Sequence, residues 1–135
     1  MFERLELIIG KDNANKLNNT KVLVIGLGGV GGILTETLVR NGIKDITIID
    51  NDIVDITNKN RQIIAMDSTV GKNKADVMKE RLLDINKDCK ITVIKEFIDG
   101  SNIDLLFDNP VDYVVDACDT VNTKILIIEE CLKEI

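Results

Sequence analysis

A nearly continuous apolar run, Lys21-Val22-Leu23-Val24-Ile25, passes directly into Gly26-Leu27-Gly28-Gly29-Val30-Gly31. β-Branched residues without polar alternation suit a strand buried on both faces, the condition of a parallel sheet. The glycines then govern the exit from that strand. Gly26 permits a tight turn, Gly28 lets backbone approach a phosphate, and Gly31 allows the next helix to lie close against the strand. From Val30 to Asn41, the residues Ile33, Leu34, Leu38 and Val39 recur at helical spacing, and Asn41-Gly42 ends the pattern. A strand, a glycine turn and a helix start in this order aim free N–H groups and a positive dipole end at an anion, so a nucleotide phosphate is the expected ligand.

The rest of the chain extends this unit. Met1 to Asn18 reads as two short helices, or one broken at Gly10. Asp45 to Asp50 is a second strand, and residues 51 to 69 form a long connection rich in Asn and Asp, the kind of segment in which functional loops accumulate. A helix is predicted from about Gly71 to Asn86, with Ala75, Met78, Leu82 and Ile85 as its buried stripe. Strands follow at Lys90 to Ile94 and Val111 to Val115, with a short amphipathic helix near Ser101 to Phe107 between them, and the pattern from Val121 to Ile135 is helical to the last residue. Alternating strands and helices predict an α/β fold: a Rossmann-like, doubly wound, mainly parallel sheet with helices on both faces and ligands at the carboxyl ends of its strands. The 135 residues suffice for one nucleotide-binding domain, with residues 1 to 20 as a helical N-terminal extension, and leave no room for a second full domain. The chain stops inside an apolar-faced helix whose Leu126, Ile127 and Leu132 find no partners in the sequence present, as expected of a shortened chain.

Composition removes several function classes. There is no histidine, which excludes histidine general bases and histidine metal ligands within this segment. Cys89, Cys118 and Cys131 are scattered and form no CxxC pair, so they read as free thiols rather than as a disulfide framework or a zinc site. A formal charge of −6 gives no general reach toward nucleic acid; any RNA contact needs a local patch or chain beyond residue 135. No apolar run approaches the roughly 20 residues that cross a bilayer, and Glu3, Arg4 and Glu6 stand where a signal peptide needs an apolar core. The expected location is cytoplasmic, with no membrane partner.

The polar residues at the strand ends define the chemistry. Asp50 closes the second strand, where a carboxylate accepts hydrogen bonds from ribose hydroxyls. Glycines and Asp50 together serve NAD as well as ATP, so a redox or regulatory dinucleotide-binding module is one reading. Arg61 and Lys74 favour ATP: a forked guanidinium and a lysine point charge stabilise the charge that grows when a carboxylate attacks an α-phosphate and pyrophosphate departs. Hydride delivery has no such need. Asp116 and Asp119 close the fourth strand. One carboxylate there suits Mg²⁺ bridging the phosphates, and either suits capping the helix that follows, the favoured role for Asp116.

The glycine turn, Asp50-Asn51-Asp52, Asn58-Lys59-Asn60-Arg61-Gln62, Val70-Gly71-Lys72-Asn73-Lys74 and Asp116-Ala117-Cys118-Asp119 together resemble the adenylation domain of the HesA/MoeB/ThiF family, relatives of ubiquitin-activating enzymes. The resemblance covers nearly the whole chain. Within the family, the Asn-Arg-Gln loop, Arg81-Leu82-Leu83-Asp84-Ile85-Asn86 and Glu96-Phe97 look most like the tRNA threonylcarbamoyladenosine dehydratases. The resemblance implies ATP- and Mg²⁺-dependent activation of a carboxylate as an acyl-adenylate. By position it implies Gly29, Asn58 and Arg61 at the phosphates, Asp50 at the ribose, Lys74 at the α- and β-phosphates, and Asp119 at the metal. Arg4 matches an arginine that family members insert into the partner subunit's site, which implies a homodimer. The acceptor is then a tRNA threonylcarbamoyl carboxylate or, in the sulfur-carrier subgroup, the C-terminal glycine of a ubiquitin-like protein. The family's acceptor-binding half and any catalytic cysteine or zinc-binding CxxC pairs normally lie beyond residue 135.

Overall fold

In the computed structural model, which describes all of residues 1–135, four strands form one parallel sheet in the order β3-β2-β1-β4. These are β1 (Lys21–Ile25), β2 (Asp45–Ile49), β3 (Lys90–Ile94) and β4 (Tyr113–Asp116). Register follows from burial on both faces, because a slip of one residue would exchange the two cores. Val22 pairs with Ile46 across β1 and β2, and Ile46 with Ile91 across β2 and β3. Val22, Val24, Ile46, Ile48 and Ile91 pack on one side against α3 (Gly29–Arg40) and α4 (Lys74–Ile85). On the other side Leu23, Ile25 and Ile49 meet Ile103 and Leu106 of a 3₁₀ segment (Ile103–Phe107) and Ile127 of α5 (Val121–Lys133). The sheet is therefore doubly covered, as the uninterrupted apolar strands require.

Two short helices, α1 (Glu3–Ile9) and α2 (Lys11–Asn18), precede the sheet and break at Gly10, whose φ of 81° no β-carbon residue takes comfortably. Five sequence expectations are corrected. α4 begins at Lys74 rather than near Gly71, because Gly71 turns left-handed (φ 88°) and the Asn73 side chain caps the helix, accepting from the N–H groups of Ala75 and Asp76. β4 begins at Tyr113 rather than Val111. The helix expected near Ser101 is a 3₁₀ segment. α5 ends at Lys133, two residues before the predicted limit, and Ile127, expected to lack a partner, is 3% exposed in the second core.

Candidate nucleotide site

All four strands run the same way, so their carboxyl ends share one edge of the sheet. Backbone bonds carry the pairing one step past each end: Gly26 N–H donates to Ile49 O at 2.8 Å, Asp50 N–H to Ile94 O at 3.2 Å, and Ala117 N–H to Ile25 O at 2.8 Å. A cavity of about 450 Å³ opens along this edge. Its floor is the glycine turn. Gly26 takes φ 94°, and a β-carbon there would fall 2.6 Å from the Ala117 carbonyl oxygen. Gly28 and Gly29 line the cavity at the start of α3, where no side chain caps the helix, so first-turn N–H groups remain for a ligand. Gly31 stands back from the cavity and serves packing: a β-carbon would sit 1.8 Å from Gly26 O.

Asp50 lines the cavity and does more than the sequence predicts. One carboxylate oxygen accepts from Leu27 N–H and the other from Asp52 N–H, both at 2.8 Å. It thereby pins the glycine turn to the end of β2 while each oxygen keeps a lone pair for a hydroxyl. Lys74, the first residue of α4, is 6% exposed yet lines the same cavity. Its ammonium lies 3.6 Å from the exposed Asp52 carboxylate, its sole ion pair, which leaves donors for an anion.

Arg61 reaches the cavity from the long connection after β2. That loop is tied at its base by Val54 N–H donating to Lys72 O and Gly71 N–H to Val54 O, both at 2.8 Å. Inside it Asn58 is 9% exposed and caps a 3₁₀ turn (Ile56–Asn58), its Oδ1 accepting from Asp55 N–H at 2.9 Å. Asn58 therefore builds the loop and does not line the cavity. Arg61 is exposed; one terminal nitrogen donates to Thr57 O at 3.1 Å and Asn60 Oδ1 at 2.8 Å, leaving the rest of the fork free. Lining residues that sequence reasoning quoted only as motif letters include Asp52, Gln62 and Phe97. Gln62 is 8% exposed with Oε1 buried and unpartnered. No spacing or composition signal marks it, because its neighbours in the loop are equally polar.

Across the cavity Asp119 is exposed at its lining, whereas Asp116 is not part of the lining. The predicted helix-capping role of Asp116 is also corrected: α5 has no side-chain cap, and Asp116 instead accepts from Cys118 N–H at 3.1 Å. Burial pushes the Asp116 carboxyl up, but bonds from Cys118 and Lys124 outweigh it, and the group titrates below its usual range. Cys118 behaves oppositely. Burial, then the Asp116 carboxylate, raise its thiol above the usual value, so it stays protonated at neutral pH and is a poor nucleophile. No three His, Cys, Asp or Glu side chains converge anywhere as a metal cage. Four carboxylates line the cavity, Asp50, Asp52, Glu96 and Asp119, and such a lining fits Mg²⁺, which keeps waters and takes one or two carboxylates beside substrate phosphates. Arg4, exposed on α1, does not line the cavity of its own chain.

A family model described as the ThiF family matches residues 2–135. The chain belongs to the ThiF family. Among curated ThiF-family relatives, the tRNA threonylcarbamoyladenosine dehydratase of Bacillus subtilis (strain 168) is 47% identical over 132 residues, 98% of this chain and 52% of the relative. A probable molybdopterin-synthase adenylyltransferase of Porphyra purpurea is 30% identical over 123 residues, 90% of this chain and 32% of the relative. The crystal structure of E. coli tRNA N6-threonylcarbamoyladenosine dehydratase, TcdA, in complex with ATP superposes with a TM-score of 0.95 at 38% identity, covering 98% of this chain and 55% of that one. The chain spans about half the length of the dehydratases it matches. The Rossmann-like architecture predicted from strand and glycine pattern agrees with that neighbour.

Proposed function

We propose that this ThiF-family chain is the N-terminal, nucleotide-binding part of a cytoplasmic, homodimeric enzyme that uses ATP and Mg²⁺ to adenylate a carboxylate, the threonylcarbamoyl group of a modified tRNA adenosine. The observation that carries the reading is the buried Lys74 ammonium, which converges with Arg61 and the uncapped start of α3 on one cavity. Three sources of positive potential at one place suit a polyphosphate and the charge that builds on it. The relative in complex with ATP supports the choice of nucleotide, and the 47%-identical dehydratase supports the choice of acceptor.

In this reading the α3 N–H groups and Lys74 hold the phosphates, Asp50 takes the ribose, and Arg61 turns its free donors onto the phosphates. A carboxylate oxygen forms a bond to the α-phosphorus as the bond to the bridging oxygen breaks, and pyrophosphate leaves with the electron pair. Cyclisation of the activated acyl group then expels AMP, and the sum is loss of one water. No general base is needed, because a carboxylate is ionised at neutral pH. Mg²⁺, when bound, would neutralise phosphate charge, and Asp119 would be the residue to hold it. The relative named as a molybdopterin-synthase adenylyltransferase favours a second acceptor for the same chemistry, the C-terminal glycine of a ubiquitin-like sulfur carrier.

The test pairs binding with product. ATP with Mg²⁺ is expected to raise the melting temperature of the chain by several degrees at about 100 times Kd, and Lys74→Ala to abolish the shift. Stabilisation by NAD alone would overturn the reading. For the whole protein, incubation with ATP and threonylcarbamoyl-modified tRNA should lower the mass of the modified nucleoside by one water. Adenylation of a carrier C-terminus instead would select the second acceptor.

A further inference from the structure

Behind the cleft lies an ion pair that does not itself line it. Lys124, in the first turn of α5, places Nζ 3.1 Å from one oxygen of Asp116. The other oxygen accepts from Cys118 N–H at 3.1 Å and lies 3.0 Å from the Cys118 thiol. Neither Asp116 nor Lys124 lines the cavity, whereas Ala117, Cys118 and Asp119 do. This carboxylate therefore acts on the loop rather than on a ligand. The loop leaves β4 at a fixed point, since Ala117 N–H is held by Ile25 O. It enters α5 at another, since the buried Thr123 hydroxyl donates to Ile98 O at 2.9 Å. Between these anchors Thr120 makes no cap bond. Asp116 is the side chain that joins strand end, loop and helix, and Lys124 fixes which way its carboxylate faces.

We propose that Lys124 is a positioning residue: through Asp116 it holds the 117–120 loop so that the Asp119 carboxylate meets the metal carried by the nucleotide phosphates. The inference rests on the reading of Asp119 given above. Mg²⁺ demands near-ideal octahedral geometry at short distances, so a small displacement of a single carboxylate weakens it. Residues that orient a metal ligand are worth about 10- to 100-fold in metal affinity.

The test is calorimetric titration of the chain with ATP, once in excess EDTA and once in saturating Mg²⁺, with no turnover required. Lys124→Met is expected to bind ATP in EDTA within about twofold of wild type and to lose about tenfold or more of the Mg²⁺-dependent gain. Lys124→Arg should restore most of that gain, and adding Asp119→Asn to Lys124→Met should cost nothing further, because the two act through one contact. Full Mg²⁺ gain in Lys124→Met alongside its loss in Asp119→Asn overturns the inference and leaves the reading of Asp119 intact. An equal loss of ATP affinity in both buffers also overturns it, since that marks a merely structural lysine. If Asp119→Asn keeps the gain, or wild type has none, the Asp119 reading falls and this inference with it. Should Lys124→Met not fold, Asp116→Asn is read in the same way, because it keeps an acceptor for Cys118 N–H and releases Lys124.

Discussion

A methyl group on Gly31 would lie 1.8 Å from the Gly26 carbonyl oxygen, and a backbone atom at that distance cannot yield without moving the whole turn. Gly31→Ala should therefore cost at or above about 3 kcal/mol, the upper end of overpacking penalties, and be read as lost cooperative melting or a fall in Tm of ten degrees or more. Gly100→Ala, with nothing within 4 Å, is the control and should melt within a degree or two of wild type. Arg61 presents the opposite case, an exposed side chain whose removal should leave Tm unchanged. Arg61→Ala is expected to slow adenylation by about 10²- to 10³-fold, as loss of a single electrostatic donor does elsewhere. An effect under tenfold would remove it from the proposed transition state. At this scale the sequence is legible where backbone geometry selects the residue type. Gly26 and Gly31 follow from a turn that tolerates no β-carbon at either position. It is illegible where one polar type serves two ends: Asn58 and Gln62 sit in one run, yet Asn58 closes a 3₁₀ turn and Gln62 lines the cavity.

Helices α3 and α4 lie side by side over the first core, and their contact carries a carboxylate held by two guanidinium groups. Glu36 accepts from Arg81 at 2.5 Å and from Arg40 at 2.8 Å, with its side chain 14% exposed. Arg81 is the larger cause that holds the Glu36 carboxyl below its usual range, against the upward push of burial. A depressed folded-state pKa means stability that is present above the unfolded value, about 4.3 for glutamate, and lost as pH falls through the folded value. Glu36→Gln should thus melt a few degrees below wild type at pH 7, and the gap should close as the pH falls below about 4.3 and through the lowered folded-state value. A gap independent of pH would mean that packing, not charge, supplies the tether. The pairing joins residues far apart in sequence, which is why helix periodicity finds α3 and α4 but not the link between them. Periodicity also overruns helix ends. It carries the α4 prediction back to Gly71 because it sees apolar spacing and not the Asn73 cap, and it carries α5 two residues past Lys133.

Across the whole molecule, the site is assembled from one edge of the sheet; Gly31 packs behind the cavity, Asn58 builds the adjoining loop, and every other proposed ligand residue but one lines the cavity. The exception is Arg4, on a helix that precedes the fold, exposed, and beside α1 residues Leu7 and Ile8 that are 86% and 81% exposed. Large apolar side chains so placed are costly to leave in water and suit an interface. If a homodimer brings Arg4 to the partner's cavity, each site contains residues from two chains, and two inactive variants should complement each other. Arg4→Ala keeps its own Lys74; Lys74→Ala keeps its own Arg4. In a dimer of one with the other, one site receives both side chains and the other receives neither. Equal mixing with free exchange of subunits should therefore recover about a quarter of wild-type adenylation from two preparations that are each nearly inactive, the arithmetic of a two-fold assembly. Activity that stays at the sum of the two parents, with exchange verified by differential labelling, would place Arg4 outside the site and leave Lys74 and Arg61 as the cationic side chains that face the nucleotide.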